Sequence, residues 1–193
     1  RFAFSAAGIP YSMTQGGGAA TKPFDDCYWV VPGRLLAGEY PGSPLPWQSR
    51  IKLLRLLDAG IDYYLDLTSK RDPLKPYAKQ LRELATARGM TVTYSRKAIP
   101  DRGCPSKELM HEILDEIDAA MAAGHRVYVH CWGGVGRTGT VIGCHLVRGG
   151  AQGDAALEQL AQLFGTMSRL KRTMNPRSPE TAEQRRFVAD WQE

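Results

Sequence analysis

Ten consecutive residues, His130-Cys131-Trp132-Gly133-Gly134-Val135-Gly136-Arg137-Thr138-Gly139, set a cysteine, a glycine-rich run, an arginine and a threonine around one point. The apolar run Val127-Tyr128-Val129 precedes them and Thr140 to Val147 follows, so the spacing predicts a strand, a tight turn and a helix. Glycines in the turn let backbone N–H groups curl inward, which makes a nest for an anion. The backbone of Trp132, Gly133, Gly134, Val135 and Gly136 is the candidate cradle for a phosphate. A helix starting near Arg137 adds its positive end. Arg137, six residues after Cys131, is placed to close a bidentate fork on the same anion. A cysteine in that field is expected to be a thiolate. Thr138 is placed to donate its hydroxyl to the Cys131 sulfur or to cap the helix. The chemistry these residues permit is transfer of a phosphoryl group to sulfur and then to water. A buried cysteine in a glycine-rich turn is the plainer alternative.

The leaving oxygen of such a transfer needs a proton. Asp101 is the candidate donor, in the loop Ile99-Pro100-Asp101-Arg102-Gly103-Cys104-Pro105-Ser106, thirty residues before Cys131. Neighbouring Arg102 favours the ionised carboxylate, so burial must offset it. Asp101 could instead merely shape a Pro-Asp turn, and Asp72, beside Pro73, is the rival acid. Near the end of the chain, Gln184 shares a helical face with Phe187, Val188 and Trp191. A buried glutamine there needs hydrogen-bond partners.

The decapeptide resembles the His-Cys-x5-Arg-Ser/Thr signature of the cysteine-based protein tyrosine and dual-specificity phosphatases. His130, Cys131, Gly133, Gly136, Arg137, Thr138 and Gly139 all fall where that family has them. The stretch VPGRLLAGEYPG also resembles the family's opening strands. Over roughly residues 28 to 191 the resemblance implies a mixed central β-sheet flanked by α-helices, with the catalytic turn between a strand and a helix. It gives His130 the task of orienting the turn and keeping the thiolate ionised. Ile99-Pro100-Asp101 stands in place of the Trp-Pro-Asp of the mobile acid loop, so the hinge is expected to differ. SPETAEQRRF resembles the segment carrying a glutamine that positions the hydrolytic water, which leaves Gln184 as that residue or as a boundary glutamine. The implied activity is hydrolysis of phosphotyrosine in proteins or peptides, with phosphoserine and phosphothreonine as further substrates. A phosphoinositide or inositol-phosphate phosphatase is the alternative, although the turn holds no lysine to grip extra phosphates. An RNA 5′-triphosphatase rests on basic charge alone. A non-catalytic phosphate-binding module and a rhodanese-like sulfur transferase fit the combination of Cys131, Arg137 and Asp101 less well. No metal or other cofactor is implied.

A chain of 193 residues with 43% hydrophobic and 23% charged residues suits one ordinary globular domain. No apolar run is long enough for a membrane span, and no signal-peptide pattern is read. A net charge of +5 suits an anionic substrate without choosing one, and nucleic acid finds little support. The run Arg169-Leu170-Lys171-Arg172 reads as a solvated loop face or a docking patch for an acidic partner. Cys27, Cys104, Cys131 and Cys144 show neither metal-ligand spacing nor a disulfide framework, and the first, second and fourth read as structural. Any of those three could pair with an oxidised Cys131. A working thiolate needs reducing surroundings, so a cytoplasmic location is expected. Nothing in the sequence encodes an oligomeric state.

Residues 1–23, with Gly16-Gly17-Gly18, read as a flexible tail or loosely docked arm, and 24–193 as the catalytic domain. A hairpin is expected about Pro32-Gly33, then a helix from Pro46 to Gly60, a strand through Ile61, Tyr63, Leu65 and Leu67, and a helix from Tyr77 to Gly89. A strand with Val92 and Tyr94 precedes the Asp101 loop. Ser106 is the expected cap of a helix reaching Gly124. The helix after the turn should stop at Gly149-Gly150. Asp154 should cap the next one, the basic run should be loop, and Ser178-Pro179 should open the last helix. Strands alternating with helices make the class α/β.

Overall fold

The computed structural model describes residues 21–193. Most of the expected 1–23 tail therefore lies outside the described residues. At its boundary, Lys22 donates to the carbonyl of Thr166 at 2.6 Å.

Five strands form one mixed sheet in the order β1-β2-β5-β3-β4. The strands are β1 (Cys27–Val31), β2 (Leu35–Gly38), β3 (Tyr63–Asp66), β4 (Thr93–Arg96) and β5 (Val127–His130). The β1–β2 hairpin is antiparallel and turns at Gly33, whose φ of 71° only glycine adopts freely. The remaining neighbours pair in parallel. β5 is thus central, and its C-terminal end delivers His130 and Cys131 to the middle of the sheet edge where such folds place ligands.

Alternation along the strands divides the core into two layers. Leu35, Ala37, Leu65, Val127 and Val129 face one side. There they meet α3 (Lys107–Ala122), α4 (Gly136–Arg148), α5 (Gly153–Phe164) and α7 (Ala182–Ala189). Leu36, Tyr64 and Tyr128 face the other side, against α1 (Pro46–Asp58) and α2 (Ala78–Thr86). No helix among the described residues is long and apolar enough to cross a membrane.

Three helix boundaries differ from those expected. The basic run is not loop but α6 (Arg169–Met174), because Ser168 accepts from the Lys171 N–H at 3.1 Å and Lys171 reaches Glu39 at 2.7 Å. Asp154 lies inside the first turn of α5, whose N-cap is Gln152. Gly153 starts that helix so close to α7 that a Cβ would stand 2.2 Å from the Ala189 carbonyl. The last helix begins after Thr181, not at Ser178-Pro179: Ser178 donates its hydroxyl to the Val135 carbonyl at 2.8 Å, tying that segment to the turn.

Candidate active site

β5 and α4 hold the turn between them, as the spacing predicts. Its carbonyls are used outside the concavity. That of Trp132 accepts from Tyr40 N–H at 2.9 Å, that of Val135 from Gly139 N–H and Ser178, and that of Gly136 from Thr140. The N–H groups of Trp132 through Thr138 donate to no protein acceptor among the described residues. Unpaired donors converging at a helix N-terminus form an anion nest. Gly134 makes the reversal possible with φ 73°, and a Cβ there would lie 2.5 Å from the Gly38 backbone. Gly134 packs against the sheet, whereas Cys131, Trp132, Gly133, Val135, Gly136 and Arg137 line a pocket of about 60 Å³. Asp101, Arg102, Asn175 and Glu180 complete it.

Arg137 is 2% exposed. Its Nη1 donates to Asp72 Oδ2 at 2.7 Å and to the Ile99 carbonyl at 3.2 Å, and its Nη2 pairs with Asp101 Oδ1 at 2.9 Å. The Nε N–H of Arg137 donates to no acceptor among the described residues. Burial works against the charge, but Cys131, Asp72 and Asp101 together overcome it and hold the guanidinium above its ordinary range.

The rival acid therefore has another position. Asp72 is nearly buried, accepts from the Ser69 N–H at 2.8 Å and orients Arg137. Asp101 is the half-exposed one, 52% at its side chain. The expected influence of Arg102 on Asp101 is not what the structure places there. Arg102, with φ 59°, turns its side chain to Glu180 at 2.8 Å, and Arg137 takes its place as the partner of Asp101. Ile99, standing where the tryptophan was missed, is fully buried and donates its N–H to the Leu67 carbonyl at 3.1 Å.

Gln184 is buried and hydrogen-bonded at both ends of its amide. Its Oε1 accepts from the Thr181 N–H at 3.1 Å in a capping box, and its Nε2 donates to the Gly103 carbonyl at 3.0 Å. It also packs on Gly136 of the turn. One side chain thus ties α7, the acid loop and the turn together. Thr138 caps nothing: its hydroxyl is buried with no hydrogen-bond partner, that to the Cys131 sulfur included.

His130 points into the α1–α2 layer, away from the pocket. Its Nε2 meets the Tyr77 hydroxyl at 2.6 Å and its Nδ1 the Cys131 carbonyl at 3.2 Å. Burial holds its pKa below the ordinary 6.5, against the pull of Asp66. Asp66 is itself buried, which works against its charge. His130 when protonated and hydrogen bonds from Thr68 and Tyr94 prevail and lower its pKa below 3.8. Arg96 pairs with it at 2.9 Å. Both folded-state values lie below the unfolded ones, so both groups stabilise above the unfolded pKa and lose that contribution on acidification. The thermal midpoint should fall as pH drops below 6.5, through His130 first and Asp66 later. A midpoint that stays flat over that range would contradict this network.

The other thiols are not competitors for Cys131. Burial pushes Cys27 up to about 11, raises Cys104, and drives Cys144 higher still. None of the three lines the pocket over Cys131.

Residues that the sequence did not single out are Glu180 and Asn175, both in the pocket wall. Glu180 stood inside the quoted SPETAEQRRF segment, but nothing local showed that it would reach Arg102.

A family model described as "Swiss Army Knife protein, DSP-PTPase phosphatase domain" matches residues 25–188. The mouse protein "Dual specificity protein phosphatase CDC14B" is 41% identical over 49 residues, 25% of this chain and 10% of that protein. The Arabidopsis thaliana protein "Phosphatidylinositol 3,4,5-trisphosphate 3-phosphatase and protein-tyrosine-phosphatase PTEN1" is 29% identical over 93 residues, 47% of this chain and 21% of that one. The chain thus spans only a tenth to about a fifth of these relatives. The crystal structure of Tk-PTP in the active form is 27% identical, with a TM-score of 0.58 over 84% of this chain and 93% of that one.

Proposed function

The chain belongs to the DSP-PTPase phosphatase domain family, and from that premise we propose that it hydrolyses phosphomonoesters of proteins, phosphotyrosine first, through a cysteinyl-phosphate intermediate. The observation that carries the reading is that the ring of N–H groups from Trp132 to Thr138 meets no protein acceptor among the described residues, and that Cys131 and Arg137 line the same pocket.

A phosphate seated on that ring places phosphorus over the Cys131 sulfur. The sulfur attacks, an S–P bond forms, and the P–O bond to the leaving group breaks. The nest and Arg137 hold the equatorial oxygens, where charge develops in the transition state. Asp101 passes its proton to the leaving oxygen. An entering phosphate takes Arg137 from it, which frees the carboxyl to face the leaving oxygen. In the second half, water attacks phosphorus, Asp101 takes back a proton, and the S–P bond breaks to free phosphate and Cys131. The buried, unpartnered Thr138 hydroxyl is the donor we assign to the departing sulfur. We assign Gln184 to holding the acid loop at the turn, through its bond to Gly103 and its contact with Gly136. Such chemistry needs reducing surroundings, and the cytoplasm is the location we propose.

Arg137→Lys should lower kcat/KM by about 10². One ammonium keeps the charge but cannot hold Asp72 and fork a phosphate at once. Steady-state kinetics on a phosphotyrosine peptide reads this directly, and a loss below tenfold would mean the fork is not used.

The panel that tests the function is phosphate release, without added metal, from phosphotyrosine, phosphoserine and phosphothreonine peptides and from phosphoinositides. Turnover of peptides supports the proposal, and turnover of lipids alone overturns its substrate half. That second reading is favoured by the Arabidopsis relative, whose name joins a phosphatidylinositol 3,4,5-trisphosphate 3-phosphatase to a protein-tyrosine-phosphatase. Against it, no lysine stands among residues 131 to 137.

A further inference from the structure

Trp132 is the exposed centre of the site, 45% accessible although it directly follows the buried Cys131. It borders three cavities: the pocket over Cys131, a trough of about 650 Å³ on one side and one of about 360 Å³ on the other. The larger trough runs from Ser69-Lys70-Arg71 past Pro73 and Pro100 to Asp101. Its two carboxylates, Asp72 and Asp101, are both turned to Arg137. Lys70 and Arg71 are exposed and pair with no carboxylate among the described residues. The trough thus has an apolar floor, the proton donor at its inner end and two unpaired cations on its wall.

We propose that this trough is a second subsite, in which Lys70 and Arg71 bind acidic side chains flanking the phosphorylated residue of a peptide that lies across Trp132. The proposal deepens the protein-phosphatase reading and rests on it. An extended chain is favoured over a compact inositol headgroup for two reasons. The cations stand in the trough and not among residues 131 to 136 of the cradle, where phosphates adjacent on one ring would need them. A second trough borders the same Trp132 and Pro73, which gives a polymer two directions of exit. Trp132, Pro73 and Pro100 offer flat apolar contact to its backbone and side chains. Ion pairs at such a rim are screened and modest, about threefold each, so two of them predict a preference of about tenfold.

The test compares two phosphotyrosine peptides that differ only in flanking residues, one with Asp and Glu and one with Ser and Gln. Wild type and Lys70→Glu/Arg71→Glu are assayed side by side. The expected ratio of kcat/KM, acidic over neutral, is about ten in wild type at low salt and falls toward one as salt rises. In the charge-reversed variant it should be one or lower. A wild-type ratio of one, or an equal ratio in both proteins, overturns the subsite. So does a short-chain phosphoinositide used better than either peptide with its turnover lost in the variant, which would assign the cations to a lipid headgroup. Binding of the same peptides to Cys131→Ser, with and without the two charge reversals, keeps the proposal exposed if turnover fails. Failure of turnover with selective acidic binding would sink the enzymatic reading alone. Equal binding of both peptides would sink the subsite.

Discussion

Cys131→Ser is expected to remove turnover of every phosphomonoester while leaving phosphate binding intact or tighter. A serine hydroxyl has the position of the sulfur without its nucleophilicity, and the carboxyl of Asp101, paired with Arg137 at the pocket wall, serves the leaving oxygen and the water rather than residue 131. Loss of a sole nucleophile costs on the order of 10⁵ or more in kcat. The other three thiols do not stand in, because none of them lines the pocket over Cys131. Binding should survive, since the donors belong to the backbone of residues 132–138 and to Arg137, none of which the substitution touches. Calorimetric titration of the variant with a phosphotyrosine peptide, beside a kinetic assay, separates the two effects. Retention of more than a hundredth of wild-type activity would place the nucleophile elsewhere. Loss of binding along with activity would mean that the turn itself had collapsed.

How much of this was legible in the sequence depends on whether the interactions are local. The turn is local: Cys131, Arg137 and the glycines lie within ten residues, and the strand and helix that hold them are set by Val127-Tyr128-Val129 and the apolar run after Gly139. The alternation of β5 likewise sends His130 to the α1–α2 side. The partners of these residues are not local. Arg137 meets Asp72 across 65 positions, and which of two aspartates beside a proline would orient the arginine is decided by the sheet order that brings the β3 end next to β5. From sequence, Asp72 and Asp101 look alike; in the fold one is buried and the other half exposed. Arg102 misled for the same reason, because adjacency in the chain says nothing of a side chain whose backbone turns at φ 59°. The short α6 escaped because its stability comes from a Ser168 cap and the Lys171 contact with Glu39, not from an apolar stripe. Gln184 illustrates a shared use. The demand of a buried amide for partners was readable, while the Thr181 capping box and the distant Gly103 carbonyl that meet it required the fold.

Asp101→Asn should cost about 10²–10⁴ in kcat for substrates with a poor leaving group, and much less for a good one. The reasoning starts from what Asn preserves. Its amide oxygen can still accept from Arg137 Nη2, Asp72 still holds Nη1, and the loop is still fastened by Ile99 to Leu67 and by Gly103 to Gln184. What it lacks is a proton to give. A seryl or threonyl alkoxide leaves badly without one, whereas an aryl oxide with electron-withdrawing substituents leaves unaided. The loss should therefore grow steadily with the basicity of the leaving oxygen, a slope that a merely structural defect does not produce. The alkaline limb of the kcat/KM profile, which reports the donor losing its proton, should flatten in the same variant. Asp72→Asn supplies the contrast. It weakens the hold on Arg137, so activity should fall by a similar factor on every substrate, with the alkaline limb kept. The assignment fails if the limb persists in Asp101→Asn, and it passes to Asp72 if the limb disappears there instead.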